Sequence, residues 1–305
     1  MTAIRGVLTL AGEGTRMLPW TRGLRKEFLP LYDGDAAGPV VLKPVAHHVL
    51  ETMAGAGVTD VTLVVGAKDR SFVQNYFSID RRFLARHAHH RERLKETERF
   101  YRTLGRLKLG FAIQPKPLGF GDAVLRSEPR VRGQPFLLHA ADALLWDQPR
   151  GAVLRRMSAR ISQGDVEAVL LVRKVADPRR YGVVEGRPAP RWQGMRRLKV
   201  ERMEEKPERP RSAWAATAVY AFTPRLFEAL KAVRRQRHPA ELEVTDAIQW
   251  LLAQSGRVEA LILSPHWGEW WSVGSPEGFL RALRRTQQLA RRRRVERRPS
   301  SRQKN

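Results

Sequence analysis

The stretch LAGEGTRMLPWTRGLRKEFLP, residues 10–30, sets Gly12 and Gly14 after an apolar run and then crowds the turn with Arg16, Arg22, Arg25 and Lys26. Glycines without side chains let the backbone come close to a phosphate, so that its N–H groups can cradle an anion. Thr15 adds a hydroxyl donor, while Arg16 as a planar fork and Lys26 as a point charge can neutralise a polyphosphate. The spacing is not that of a Walker A loop, because no Gly-Lys-Ser/Thr follows, and the third glycine of the dinucleotide fingerprint is missing. Taken alone, the pattern is consistent with a phosphate loop or with a basic surface turn in a very basic chain.

Such a loop must be carried by a scaffold, and the surrounding pattern supplies one. Residues 4–12 form a short β-branched and leucine run, 43–57 repeat apolar residues at helical spacing up to Gly55 and Gly57, and 60–67 are again apolar. Strand, helix, strand in that order is a βαβ unit, and near-continuous apolar strands belong to a sheet buried on both faces. Further strands are expected at 107–114, 134–142, 166–175 and 212–224. Helices are expected from 121 and over the segments beginning PRLFEAL, EVTDAI and PEGFLRAL. The charged stretch 79–106 reads as a helical insertion. RYGVVEG and MRRLKVERMEEKP read as antiparallel ribbon pieces. The expected class is α/β, Rossmann-like, a mostly parallel twisted sheet covered by helices on both faces, with a small β-ribbon lobe. One domain over residues 1–290 is followed by a basic, unordered tail, 291–305.

Composition narrows the chemistry. The 305 residues are 42% hydrophobic, enough for a sizeable core, and contain no cysteine. Disulfides, thiolate metal sites and cysteine nucleophiles are therefore excluded together. The net charge of +25 is only partly due to the tail, whose eight Lys/Arg face Glu296 alone, so about +18 remains in the body. That field favours polyanions, phosphorylated small molecules and non-specific nucleic-acid binding through the arginine-rich tail included. No apolar run reaches the roughly 18–20 residues of a membrane helix, and the N-terminal run is too brief for a secretory signal. A cytoplasmic protein with no membrane association is expected. His47 and His48 lie on the 43–57 helix and are read as core or surface polar groups, and Trp267, Trp270 and Trp271 as packing residues.

Several ordered motifs then point one way. LTLAGEGTRMLPWTRGLRKEFLPL resembles the AGxGTRMLPxT…PKExLPL block of sugar-nucleotide pyrophosphorylases, closest to the bacterial-type UTP–glucose-1-phosphate uridylyltransferases. QPKPLGFGDAVL, LLHAADALL, RRYGVVEG, EEKP, ELEVTDAI and WWSVGSPEGFLRAL follow in the family's order, so the likeness covers roughly residues 3–285. The resemblance implies a glycosyltransferase-A-like nucleotidyltransferase fold. It also implies nucleotidyl transfer from UTP to a sugar 1-phosphate, most simply glucose 1-phosphate, with release of pyrophosphate. It assigns Arg16 and Lys26 as catalytic and Leu10, Ala11, Gly12, Gly14, Thr15, Gln114 and Gly119 as nucleotide-binding. Gly182, Glu205, Lys206 and Glu241 fall to the sugar phosphate, Asp142 falls to Mg²⁺, and a homo-oligomer is implied. On the residues alone, Asp142 could equally cap a turn, Lys206 could be a solvated ribbon residue and Gln114 a strand-end polar group.

The pattern breaks in two places. Ser272 stands where the family's closing motif carries a second metal-binding aspartate, and Glu269 is the nearby carboxylate that could replace it. Ala218 and Val219 stand where the bacterial uridylyltransferases carry glycine and arginine. These departures leave room for a catalytically weakened, sugar-nucleotide-binding paralogue or for a thymidylyltransferase-type specificity.

Overall fold

The run Arg5–Leu10 becomes a strand whose residues from Gly6 onward are all buried. Alternate side chains feed two different cores, as the period of two requires. Leu8, Leu63, Leu137 and Leu171 face one, and Val7, Val64, Leu138 and Leu170 face the other. The computed structural model describes residues 4–34, 40–237 and 240–295. Its main sheet runs, edge to edge, through Lys108–Gln114, Asp60–Gly66, Arg5–Leu10, Phe136–Ala140, Trp214–Phe222, Ala168–Lys174, Val258–Ile262, Met195–Glu205 and Gly182–Trp192.

The first four strands are mutually parallel, as are Ala168–Lys174 and Val258–Ile262. Only Trp214–Phe222 and Met195–Glu205 run against the others. The expected mostly parallel sheet is present. Helices Val45–Gly55 and Ala152–Ile161 cover one face. Arg225–Arg237 and Val244–Ala253 cover the other.

The ribbon Gly182–Trp192 with Met195–Glu205 turns at Gln193 and Gly194, both at positive φ, as a two-residue hairpin demands. It is not a detached lobe, because Arg197–Lys199 pair with Glu259–Leu261 and make the ribbon the far edge of the sheet. The 79–106 segment holds helices Arg81–Arg86 and Arg91–Leu104. The last helix, Pro276–Val295, carries regular structure five residues into the expected tail, and residues 296–305 lie outside the described residues. Among the described residues no helix is long and apolar enough to cross a membrane.

Candidate active site

The carboxyl ends of the parallel strands open onto one cleft. Immediately after Arg5–Leu10 the chain passes through three short 3₁₀ turns, Thr15–Met17, Trp20–Arg22 and Lys26–Phe28. Gly14 has φ +68°, and a side chain there would press on Thr21. Arg25 pins the turn by donating to the Gly12 carbonyl at 2.9 Å and pairing with Asp69. This fixes the cation-rich segment against the sheet.

A cavity of about 480 Å³ collects most of the expected residues. Its lining includes Ala11, Gly12, Gly14, Thr15, Arg16, Lys26, Gln114, Gly119, Asp142, Gly182, Glu205, Lys206 and Glu241. Leu10 is the exception, since its side chain is buried in the core and does not face the cavity. A second cavity of about 600 Å³ adjoins the first and shares Arg16, Asp142, Arg180, Tyr181 and Ala218 with it.

At the centre, Lys26 Nζ lies 2.8 Å from Asp142 Oδ2, with the two side chains 13% and 21% exposed. Burial opposes the charge on Lys26, but Asp142 and Glu27 together outweigh it and raise the ammonium above the usual lysine value. Burial likewise opposes ionisation of Asp142, and Lys26 with Arg16 hold its carboxyl below the usual aspartate value. Both groups are therefore charged near neutrality. Glu27 behaves differently. Nearly complete burial pushes it up to about 7, and its Oε2 has no hydrogen-bond partner among the described residues.

Gln114 ends its strand with the amide nitrogen donating to the Gly119 carbonyl at 3.1 Å and to Asp122 Oδ2 at 3.0 Å. Two acceptors on one nitrogen fix the amide orientation and leave Oε1 to accept. Gly119 has φ +98°, and a Cβ there would meet the Leu242 oxygen at 2.5 Å and its nitrogen at 2.7 Å. At the other end Glu205 accepts from Thr245 Oγ1 at 2.7 Å and pairs with Lys206 at 3.3 Å. A Cβ on Gly182 would come within 3.2 Å of Glu205 Oε2.

Glu243, two residues beyond Glu241, escaped the sequence reading. It also lines the cavity, and burial followed by repulsion from Glu205 pushes it up to about 7. Only its arrival opposite Glu205 makes it notable, and no local pattern signals that.

Oxygen donors for a hard cation sit beside Lys26. Asp142 Oδ2 and Ser272 Oγ each lie 3.3 Å from where a Gly274 Cβ would be. One carboxylate and one hydroxyl fit Mg²⁺ when phosphate oxygens and water complete the shell. Glu269 does not replace the missing carboxylate. It is held by Arg285, whose Nη2 and Nε donate at 2.6 and 2.9 Å.

The histidines stay in the interior as expected. His47 stacks on Phe100 at 3.5 Å and His48 is 1% exposed. Asp33, His48 and Glu51 offer ligand atoms within 4.8 Å of one another, but Lys43 and Arg150 already pair with both carboxylates.

A doubly covered sheet with a glycine- and cation-rich loop at its strand ends, facing a lone aspartate, defines an α/β nucleotidyltransferase. The family model described as "Nucleotidyl transferase" matches residues 5–288, and the chain belongs to that family. It is 28% identical over 270 residues to the glucose-1-phosphate thymidylyltransferase of Streptomyces griseus, covering 88% of this chain and 63% of that protein. It is 27% identical over 286 residues to the UTP–glucose-1-phosphate uridylyltransferase of Mycoplasma pneumoniae, covering 91% of this chain and 90% of that one. Among solved structures, an apo UDP-glucose pyrophosphorylase superposes with a TM-score of 0.80 at 24% identity, covering 96% of this chain and all of that one.

Proposed function

We propose that the protein transfers a nucleotidyl group from UTP to a sugar 1-phosphate, with glucose 1-phosphate the first acceptor to test, and releases pyrophosphate. The observation that carries this reading is a single cavity holding the glycine loop with Arg16 and Lys26, then Asp142, then Glu205 and Lys206. A phosphate oxygen of the sugar 1-phosphate attacks the α-phosphorus, and the bond to the β-phosphate bridging oxygen breaks. The electron pair departs with pyrophosphate. No covalent enzyme intermediate is required, so positioning and charge neutralisation account for the catalysis.

In this scheme Gly12, Gly14 and Thr15 cradle the triphosphate, and Arg16 and Lys26 offset the charge gathering on the leaving pyrophosphate. Lys26 exchanges its Asp142 partner for phosphate when the nucleotide enters. Asp142, with Ser272 beside it, would hold Mg²⁺, which supplies Lewis-acid polarisation of the phosphate oxygens when bound. Lys206 holds the sugar phosphate, while Glu205 and Glu241 accept from sugar hydroxyls.

Gln114 Oε1 accepts from the N3–H that uracil and thymine share and that cytosine lacks. This amide therefore selects the class of base without separating UTP from dTTP, and relatives are named for both. A thymidylyl specificity is the second reading for that reason. A pyrophosphate-release screen across UTP, dTTP, CTP and several sugar 1-phosphates tests the proposal. Turnover with UTP or dTTP is expected, and no release with any pair would overturn it.

A further inference from the structure

We infer that the acceptor is a sugar 1-phosphate carrying a second anionic group, received by the cation-lined cavity beyond Asp142. The inference rests on the nucleotidyltransferase reading above and names the substrate class of the same site.

That adjoining cavity is lined by Arg16, Arg173, Lys174, Arg180 and Arg281, against only two carboxylates, Asp142 and Asp177. Each carboxylate is ion-paired outside this set, although Arg16, after Lys26, also helps lower Asp142, and Arg180, after Arg179, helps lower Asp177. Asp142 pairs with Lys26 and Asp177 with Arg179, each at 2.8 Å. None of the five cations forms an ion pair among the described residues. Glu277 lies close enough for its carboxyl to be lowered in part by Arg180 and Arg281, after its own backbone and Ser275 hydrogen bonds, but it pairs with neither. Five cations against two carboxylates around one space raise a positive potential that a bound anion relieves.

Arg173 is the built element of this subsite. It is half-buried, donates from Nη1 to the Trp270 carbonyl at 2.7 Å, and lies 5.7 Å over the Trp270 ring. Those contacts hold the guanidinium plane, and its remaining N–H groups can bind a carboxylate or phosphate in fork geometry. Elsewhere the cavity wall is apolar or already hydrogen-bonded at two positions. Ala218 stands at φ +57° with a methyl group, and Thr217 has given its hydroxyl to the Leu171 carbonyl. The same wall is where the resemblance fails, at Ala218 and Ser272.

The second anion can be a carboxylate, as in a hexuronic acid 1-phosphate, or another phosphate, as in a hexose bisphosphate. Calorimetric titration of the full chain with glucose 1-phosphate, glucuronic acid 1-phosphate, glucose 1,6-bisphosphate and inorganic pyrophosphate separates these sources. At least tenfold tighter binding of one sugar bearing a second anion than of glucose 1-phosphate is expected. Arg173→Gln and Arg281→Gln should each shrink that ratio severalfold, while circular dichroism confirms that both variants fold. Equal or weaker binding of both anionic sugars overturns the inference, as does a preference that survives both substitutions. A gain for pyrophosphate alone also overturns it, by assigning the cavity to the leaving group. Turnover is read separately. Pyrophosphate release with glucose 1-phosphate but no anionic preference sinks this inference and leaves the general reaction standing. No release with any sugar sinks the reaction instead.

Discussion

The two sides of the cleft, to which the proposal assigns nucleotide and acceptor, are built on different principles. On the nucleotide side most groups come from one stretch, Gly12 to Lys26, folded into consecutive tight turns, joined by Gln114, which bonds Gly119 and Asp122. On the acceptor side Arg173, Arg180, Ala218, Glu243, Ser272 and Arg281 come from six separate stretches. The first region keeps the resemblance throughout, and the second departs from it at Ala218, Val219 and Ser272. Recognition of a common triphosphate demands one geometry, whereas the acceptor's chemistry can change with a few side chains on an unchanged sheet.

The largest expected effect breaks the nucleotide side. Lys26→Ala removes the cation paired with Asp142 and should lower kcat by about 10²-fold or more, the order found when a charge-stabilising donor is lost. Steady-state pyrophosphate release measures it, and unchanged turnover would mean that the loop does not hold phosphate. Gly119→Ala comes next. It forces a side chain onto the Leu242 backbone at φ +98°, and should cost about 2–3 kcal/mol of stability, read from urea unfolding. A midpoint within error of wild type would refute the close approach.

Two smaller effects sharpen the acceptor side. Ser272→Asp supplies a second carboxylate beside Asp142 and should lower the Mg²⁺ concentration for half-maximal turnover by about tenfold, given the weight of ligand charge for a hard cation. An unaltered Mg²⁺ titration would place residue 272 away from the metal. Glu243 should leave a signature in pH-dependent stability. Its folded value of about 7 exceeds the unfolded 4.5, so the unfolded chain holds fewer protons between those limits. Its stabilising contribution is complete below about pH 4.5 and is lost as pH rises through 7. Glu243→Gln should flatten that slope and add about 1 kcal/mol at pH 8, after allowance for solvent screening. Thermal unfolding at pH 5 and pH 8 checks both.

Much of the scaffold was readable because its signals are local. The apolar runs of Arg5–Leu10 and Asp60–Gly66, the helical spacing of Val45–Gly55 and the ribbon pieces RYGVVEG and MRRLKVERMEEKP each need only near neighbours to be interpreted. Val258–Ile262 passed unnoticed. Its short run VEALI carries no turn chemistry of its own, and it becomes a strand by inserting between Ala168–Lys174 and Met195–Glu205. The pairing of Glu269 with Arg285 was equally hidden, since nothing near residue 269 announces its partner.

By itself the amino-acid order determined the glycine- and cation-rich turn after the first strand, the alternation of apolar strands with amphipathic helices, and the absence of thiol chemistry. These follow from residue type and short-range spacing. The tertiary structure alone decided that Lys26 rests on Asp142, that Glu243 faces Glu205, and that five cations share one cavity with two carboxylates. Those facts depend on which distant side chains are brought within a few ångströms in a medium that screens charge poorly, and Coulomb energies there are set by separation in space.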